Sequence, residues 1–458
     1  MSLRFWLCSL VALCVFSVAE VRAADGLAGR RPNIILFIAD DMAWDDSAPY
    51  GHPHIKTPSL ARMAREGLRF DNAFLTCSSC SPSRCSIITG RYPHSTGASE
   101  LHLPLPGDQV TFVEKLRESG YYTAAAGKWH LGNPTRKKFD TVVDGVDKWV
   151  STLQGCPTDK PFFGWFAFVD PHRPYAANAI PEPHRPADVV VPPYLPDVPE
   201  TRHDLALYYD EIARLDGMVG QVLDELQKRG QAENTLVLFI SDNGRPFPRC
   251  KTTVYDSGIR TPCLAWWPGT LKPGSVTESL VSTVDLAPTF LELAGVELPA
   301  TFQGESFLPM LQDPAAKTRD NIYAEHNWHD YSARERAVRS SQFKYIRNAW
   351  PDLPGTPPAD AVRSETYVAM RRLRDAGTLP AEQSGCFLKP RPTEELYDVV
   401  NDPHELHNLA ADPKFAQPLA LMRQQLDGWE VATGDMEVKE RRPDGFDRDT
   451  GEPLAGRK

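Results

Sequence analysis

Four apolar runs, each stopping on a short set of polar residues, constrain the fold of this 458-residue chain more than any other feature. Pro32 opens Asn33–Ala39, which ends on Asp40 and Asp41, and Tyr121–Ala126 runs into Gly127, Lys128, Trp129 and His130. Phe162–Val169 runs into Asp170, Pro171 and His172, and Leu236–Ile240 into Ser241, Asp242, Asn243 and Gly244. Unbroken apolar runs of this length mark strands buried on both faces, which need helices on both sides of a sheet. Helical patterns lie between them: one from near Pro58 to Leu68, one from Thr111 to Glu118, and a long amphipathic one from Asp204 to Arg229. The expected fold is therefore α/β, with a large, mostly parallel or mixed sheet between helices. In open α/β sheets ligands bind outside the carboxyl ends of the strands. Asp40, Asp41, Lys128, His130, His172, Asp242 and Asn243 are accordingly expected to face one pocket.

Asp40, Asp41, Asp242 and Asn243 make a hard-oxygen donor set suited to Ca²⁺ or Mg²⁺, and no cysteine or histidine cluster has zinc spacing. The other reading of these residues is turn capping after strands. In sequence, the segment Cys77–Arg91 lies between the two acidic pairs. Ser81 is predicted as a helix N-cap, Pro82 as the first helical position and Gly90 as the stop. That places the thiol of Cys80 at the positive end of a short helix, where an anion is favoured. Cysteines near helix starts otherwise serve as small buried hydrophobes, and Cys77 and Cys85 read as packing or disulfide partners.

Taken together these landmarks resemble the type I sulfatases, in the order that family shows them. They are Arg31-Pro-Asn-Ile34 with Asp40-Asp41, Cys80-x-Pro-Ser-Arg84 followed by Thr89-Gly-Arg91, and Gly127-Lys-Trp-His-Leu-Gly132. Asp170-Pro-His172, Ser241-Asp-Asn-Gly244, Lys251 with Gly258-Ile-Arg-Thr-Pro262, and Glu395-Leu-Tyr-Asp398 with Asn401-Asp-Pro403 continue the series to about residue 410. The resemblance implies an alkaline-phosphatase-like fold and a Cys80 oxidised to Cα-formylglycine by a formylglycine-generating maturation enzyme. It further implies that Asp40, Asp41, Asp242 and Asn243 hold one Ca²⁺ close to the modified Cys80. One hydroxyl of the aldehyde hydrate would attack sulfur, giving a sulfated enzyme, and loss of a proton from the second hydroxyl would release sulfate. In that scheme Arg84, Lys128 and Lys251 spread positive charge over the sulfate oxygens. His130 is the base for the collapse, and His172 with Lys251 the proton source for the leaving group.

Within the family the resemblance is greatest to the N-sulfoglucosamine sulfohydrolase branch, the sulfamidases. It is carried by Ser78–Arg84, Asp242–Pro248, Val189–Pro192 with Leu195-Pro196, and Asp402–Glu405. Lys128–Leu131 and Gly258–Pro262 look like sulfatases in general. The implied substrate is a sulfated saccharide, N-sulfoglucosamine residues of heparan sulfate or heparin. The alternatives are an O-sulfatase on 6-sulfated N-acetylglucosamine or another sulfated sugar, and a metal phosphatase or phosphodiesterase of the same superfamily. From another class comes a non-catalytic sulfoglycan-binding protein, should Cys80 stay unmodified. Glu325, His326 and His329 are expected to contact the substrate and set specificity.

Residues 1–23 have a charged start, a short apolar run and the small-residue site Val21-Arg22-Ala23-Ala24, the pattern of a secretory signal. The protein is expected to be exported, periplasmic or secreted, with no stable membrane anchor, since no second long apolar run follows. Without the leader the net charge goes from −10 to about −11, which argues against nucleic acid as a partner. Seven of the nine cysteines remain and are free to pair or not in an oxidising compartment. Pro181–Pro199 holds seven prolines and reads either as a rigid surface loop or as a wall of the cleft. The expected organisation is a signal at 1–23, a catalytic domain at 24–318 and a smaller α+β subdomain with an antiparallel sheet at 319–458. The subdomain ends in a helix from Asp412 to Ala432.

Overall fold

The computed structural model describes residues 26–436, 438 and 440–454; the expected leader at 1–23 lies outside them. Its strands, in chain order, are β1 (Asn33–Ala39), β2 (Leu68–Phe70), β3 (Ala73–Phe74), β4 (Tyr122–Gly127), β5 (Thr141–Val143), β6 (Phe162–Ala167) and β7 (Thr235–Ser241). There follow β8 (Cys263–Trp266), β9 (Ser275–Thr277), β10 (Val281–Ser282), β11 (Ile322–His326), β12 (Glu335–Arg339), β13 (Phe343–Asn348) and β14 (Glu394–Asp398). Eight of them form one sheet in the order β5-β4-β6-β1-β7-β8-β2-β9. From β5 to β7 neighbours are parallel; β8 then runs antiparallel to both β7 and β2, so the sheet is mixed.

The four apolar runs are the centre of this sheet. β1 is fully buried, with Ile34 opposite Phe163 and Leu236, and Leu36 opposite Trp165 and Leu238. Because strand side chains alternate, Ile34, Leu36 and Ile38 enter one core with Phe112, Phe163 and Phe290. Ile35, Phe37 and Ala39 enter the other, with Tyr208, Ile212 and Leu215 of the long helix Pro199–Lys228. Each such side chain removed from water contributes about 1.5–3 kcal/mol, which locks the register and with it the level at which the polar strand ends emerge.

β11-β12-β13-β14 form a separate antiparallel sheet. One face packs on Leu419, Met422, Leu426 and Trp429 of the helix Ala416–Thr433, the other on Phe74, Leu75, Val254 and Ile259 of the large unit. A smaller sheet thus docks on the larger by burial on both its faces.

Several boundaries move for physical reasons. The helix expected to start after Ser81 begins at Cys80, with Ser79 as its N-cap and Gly90 ending it in the left-handed region at φ 61°. The Ser81 hydroxyl instead accepts from the backbone of His102 at 2.8 Å. Pro82 still falls in the first turn, where its missing N–H costs nothing. The long helix starts at Pro199, five residues before Asp204, because proline suits a first helical position. Of the proline-rich stretch, Val189, Tyr194 and Leu195 anchor in the core and none of its residues lines the cleft described below, so it is a packed surface loop. All seven described cysteines are buried and free.

Candidate active site

β4, β6, β1 and β7 are parallel neighbours, so their carboxyl ends share one edge of the sheet. Asp40 and Asp41 leave β1 there, Lys128 leaves β4, His172 follows β6, and Asp242 and Asn243 leave β7. Asp40, Asp41, Asp242 and Asn243 are all fully buried. Asn243 Nδ2 donates to Asp41 Oδ1 at 2.9 Å and to Asp242 Oδ1 at 2.8 Å, and lies 3.2 Å from Cys80 Sγ. The ligand atoms of Asp40, Cys80 and Asp242 all fall within 4.8 Å of one another. The backbones of Asp41 and His130 sit at φ 74° and 53°, a conformation non-glycine residues adopt at a cost and which gathers at functional sites.

Three permanent cations answer the three carboxylates. Lys128 pairs with Asp40, Lys251 Nζ lies 2.7 Å from Asp41 Oδ2, and Arg84 Nε lies 2.7 Å from Asp242 Oδ2. Burial works against the charge of Asp40, but Lys128, His172, Arg84 and Lys251 hold its carboxyl far below the usual range. Asp242 goes the other way: burial pushes it up to about 6 against the pull of Arg84. A carboxylate so desolvated gains from a further cation, and Asn243 Oδ1 beside it is a buried acceptor with no partner among the described residues. The set fits a hard divalent cation.

Burial pushes the thiol of Cys80 up to about 12 in spite of Lys251 and Lys128. As a thiol it is neutral at ordinary pH and a poor nucleophile, even at a helix N-terminus. His130 is held down to about 2, first by burial and then by Lys128 and Arg84, so its imidazole is neutral. The Nδ1 of His172 lies 2.5 Å from the carbonyl of Arg173. A carbonyl only accepts, so Nδ1 carries the proton and Nε2 is the working nitrogen, 3.8 Å from both Asp41 Oδ2 and Asp360 Oδ2.

The open side of this cluster is a cleft of about 290 Å³ lined by Cys80, His102, His130, His172, Lys251 and His329, with Asp330, Asp360 and Arg363 at its outer wall. Of the residues expected here the structure brings together Cys80, Lys128, His130, His172, Lys251 and the four acidic and amide donors. Arg84 is fully buried beside them, donating to Asp242 and to the carbonyl of Lys128 at 3.1 Å, while its Nη2 lies 4.0 Å from Asp40 with no hydrogen-bond partner among the described residues. His329 reaches the cleft and is 2.7 Å from the Ser79 hydroxyl.

Glu325 and His326, expected at the substrate, do not reach it. Both sit in β11, where sheet packing encloses them: Glu325 accepts from the backbone of His94 at 2.7 Å, and His326 is 4 % exposed with its ring against Tyr331. In their place come His102, Asp330, Asp360 and Arg363. Asp360 lies on a four-residue helix, Ala359–Val362, in a proline-rich loop of the second unit. No strand-end pattern marks it, and only an alignment of the two units in space would have found it.

The pattern of the family described as Sulfatase matches residues 32–155 and 144–296, and that described as N-sulphoglucosamine sulphohydrolase, C-terminal, matches residues 249–350. The chain is 33 % identical over 460 residues to an ulvan-active sulfatase of Formosa agariphila, covering 88 % of this chain and 76 % of that one. It is 33 % identical over 470 residues to N-sulphoglucosamine sulphohydrolase of Homo sapiens, covering 90 % and 92 %. Among solved structures the fold is similar, with a TM-score of 0.68 at 22 % identity, to a protein in complex with its substrate D-glucosamine-2-N,6-O-disulfate, over 90 % of this chain and 100 % of that one.

Proposed function

Because this chain belongs to the sulfatase family, hydrolases of sulfated glycans, we propose that it removes the N-sulfate of glucosamine residues, as in heparan sulfate or heparin. One observation supports this reading above the others. The segment resembling the C-terminal part of N-sulphoglucosamine sulphohydrolases, 249–350, supplies both Lys251 beside Asp41 and His329 on the cleft wall. The likeness thus includes the lining of the pocket and not only the strand-end motifs.

Asp40, Asp41, Asp242 and Asn243 are the residues that would hold Ca²⁺. When present, the ion supplies positive charge toward the sulfate, and a formylglycine at position 80 supplies a hydrated aldehyde as nucleophile. The chain's own residues do the rest. Lys128 and Lys251 balance the carboxylates, so that with a divalent cation bound this buried cluster carries a net positive charge that welcomes a sulfate. Arg84 holds Asp242 in place and adds positive charge beside the two lysines. His172, with its Nδ1–H committed to a backbone carbonyl, protonates the departing nitrogen from Nε2 only as an imidazolium, the form that Asp41 and Asp360 beside it favour, and the neutral His130 accepts the proton that must leave the nucleophile. The buried floor around Cys80 excludes bulk water.

The test is sulfate release by protein co-produced with a formylglycine-generating enzyme, from N-sulfoglucosamine and from 6-sulfated N-acetylglucosamine in parallel. Release from the N-sulfated sugar alone is expected, with loss of turnover in Cys80→Ala at unchanged fold and on removal of Ca²⁺ by chelation. Release from the 6-sulfated sugar alone overturns the substrate and leaves the chemistry standing.

A further inference from the structure

The cleft does not end at the reacting atoms. It shares His172, Asp360 and Arg363 with a second, wider cavity of about 600 Å³. Pro174, Tyr175, Leu207 of the long helix, Ser364 and Glu365 line the rest of that cavity. The inner space is at the small end of ligand pockets and suits one sugar; the outer one is twice as large.

Along the outer cavity each carboxylate has a nitrogen beside it. Asp204 takes both guanidinium nitrogens of Arg173, at 2.7 and 2.8 Å. Glu365 lies 2.8 Å from His203, and Asp360 faces His172. Arg363 stands where the two cavities join, is exposed, donates one hydrogen bond to the carbonyl of Gly451 at 2.9 Å and forms no ion pair among the described residues. A guanidinium held by one neutral acceptor keeps its other donors for a carboxylate or sulfate, which it binds in a fork.

We propose that the substrate is an oligosaccharide, with the sugar next to the one losing sulfate seated in the outer cavity and an acidic group of that sugar on Arg363. This rests on the reading of the inner pocket as a site for a sulfated glucosamine. Arg363 is then a specificity residue for the neighbour, supplied by the second unit of the chain.

The test compares kcat/KM of the matured full-length enzyme on the sulfated monosaccharide with three disaccharides bearing the same sugar at the non-reducing end. Their second sugars are a uronate, a carboxyl-reduced sugar with a 2-O-sulfate, and a neutral sugar. An acidic neighbour is expected to raise kcat/KM about tenfold or more over the monosaccharide and the neutral disaccharide, mainly through KM. Whether uronate or sulfate gives the rise identifies the anion. Arg363→Ala is expected to abolish that ratio and Arg363→Lys to restore part of it. Leu207→Trp, which narrows the outer cavity, is expected to lower the disaccharide-to-monosaccharide ratio. Equal kcat/KM on all four substrates in the unmutated enzyme, or a ratio that survives Arg363→Ala, overturns the proposal. If no N-sulfate is released from any of them, the series is repeated on the 6-sulfated sugar: failure of the N-sulfate reading leaves the ratio test intact there.

Discussion

Arg84 is a guanidinium with no solvent exposure that touches Asp242 and the carbonyl of Lys128 and lies 4.0 Å from Asp40. At this scale its hydrogen bonds tie the ends of β7 and β4 to the Cys80 helix. Lysine keeps the charge but has one point of attachment where arginine has a planar fork. Arg84→Lys is expected to lose about 3 kcal/mol of stability, since Asp242 would be left buried with a poorly placed partner, and to lower kcat more than it raises KM. Urea unfolding and sulfate release measure the two effects; if neither changes, Arg84 does not organise the site. The acidic donors, Lys128 and Cys80 were legible at this scale because strand-end and helix-start chemistry is local, whereas Lys251 came only with the family resemblance. Asp360 and Arg363 were not, because nothing near them in sequence says that a short helix of the second unit closes the cleft.

At the scale of elements, two contacts set where the site residues stand. Gly127 ends β4 at φ 98°, and a Cβ there would fall 1.8 Å from the carbonyl oxygen of Ala167 in β6. Gly127→Ala must therefore push the two strands apart and carry Lys128 away from Asp40. It is expected to destabilise the fold by about 2 kcal/mol or more, with a lower thermal midpoint and a loss of turnover larger than the loss of folded protein. The second contact ties the turn after the Cys80 helix to β11, where His94 Nδ1 lies 2.6 Å from Glu325 Oε2. Burial disfavours the imidazolium, but the hydrogen bond and charge of Glu325 outweigh it and raise His94 above its ordinary value of 6.5. A raised folded value means that stabilisation is full below the unfolded value and fades as pH climbs through the folded one. Wild type and His94→Gln should differ most in urea midpoint near about pH 5.5 and converge toward about pH 8.5. A difference that does not depend on pH would show that the histidine contributes packing alone.

Across the whole molecule the two sheets are joined by a buried ionic cluster as well as by apolar burial. Lys344 of β13 lies 2.5 Å from Asp256 and 2.9 Å from Glu405, and Arg339 of β12 lies 3.1 Å from Asp256. All four side chains are at most 6 % exposed. Lys344→Met leaves two carboxylates facing each other with one cation removed and is expected to cost about 3–5 kcal/mol. Denaturant unfolding followed by both fluorescence and activity checks this; a change under about 1 kcal/mol would mean the cluster is not part of what holds the units together. Since His329, Asp360 and Arg363 come from the second unit and line the cleft, loosening that junction should reduce activity on oligosaccharides before the protein unfolds.

Four apolar runs ending in polar residues are enough to require a sheet buried on both faces, and parallel strands in such a sheet put their ends on one edge. The α/β class, the acidic and amide donors, Lys128, His172 and the place of Cys80 at a helix start all followed from the sequence by itself, because each depends on periods and neighbours a few residues long. What only the tertiary structure decided depends on distance in space: that Arg84 is buried against Asp242, that the Ser81 hydroxyl accepts from the backbone of His102, and that Glu325 turns to His94. It also decided that the outer wall of the cleft includes Asp330, Asp360 and Arg363, which lie far along the chain from the first acidic pair. Docking of the second sheet is driven by apolar area and by matched buried charges, neither of which has a period, and so it leaves no local pattern to read.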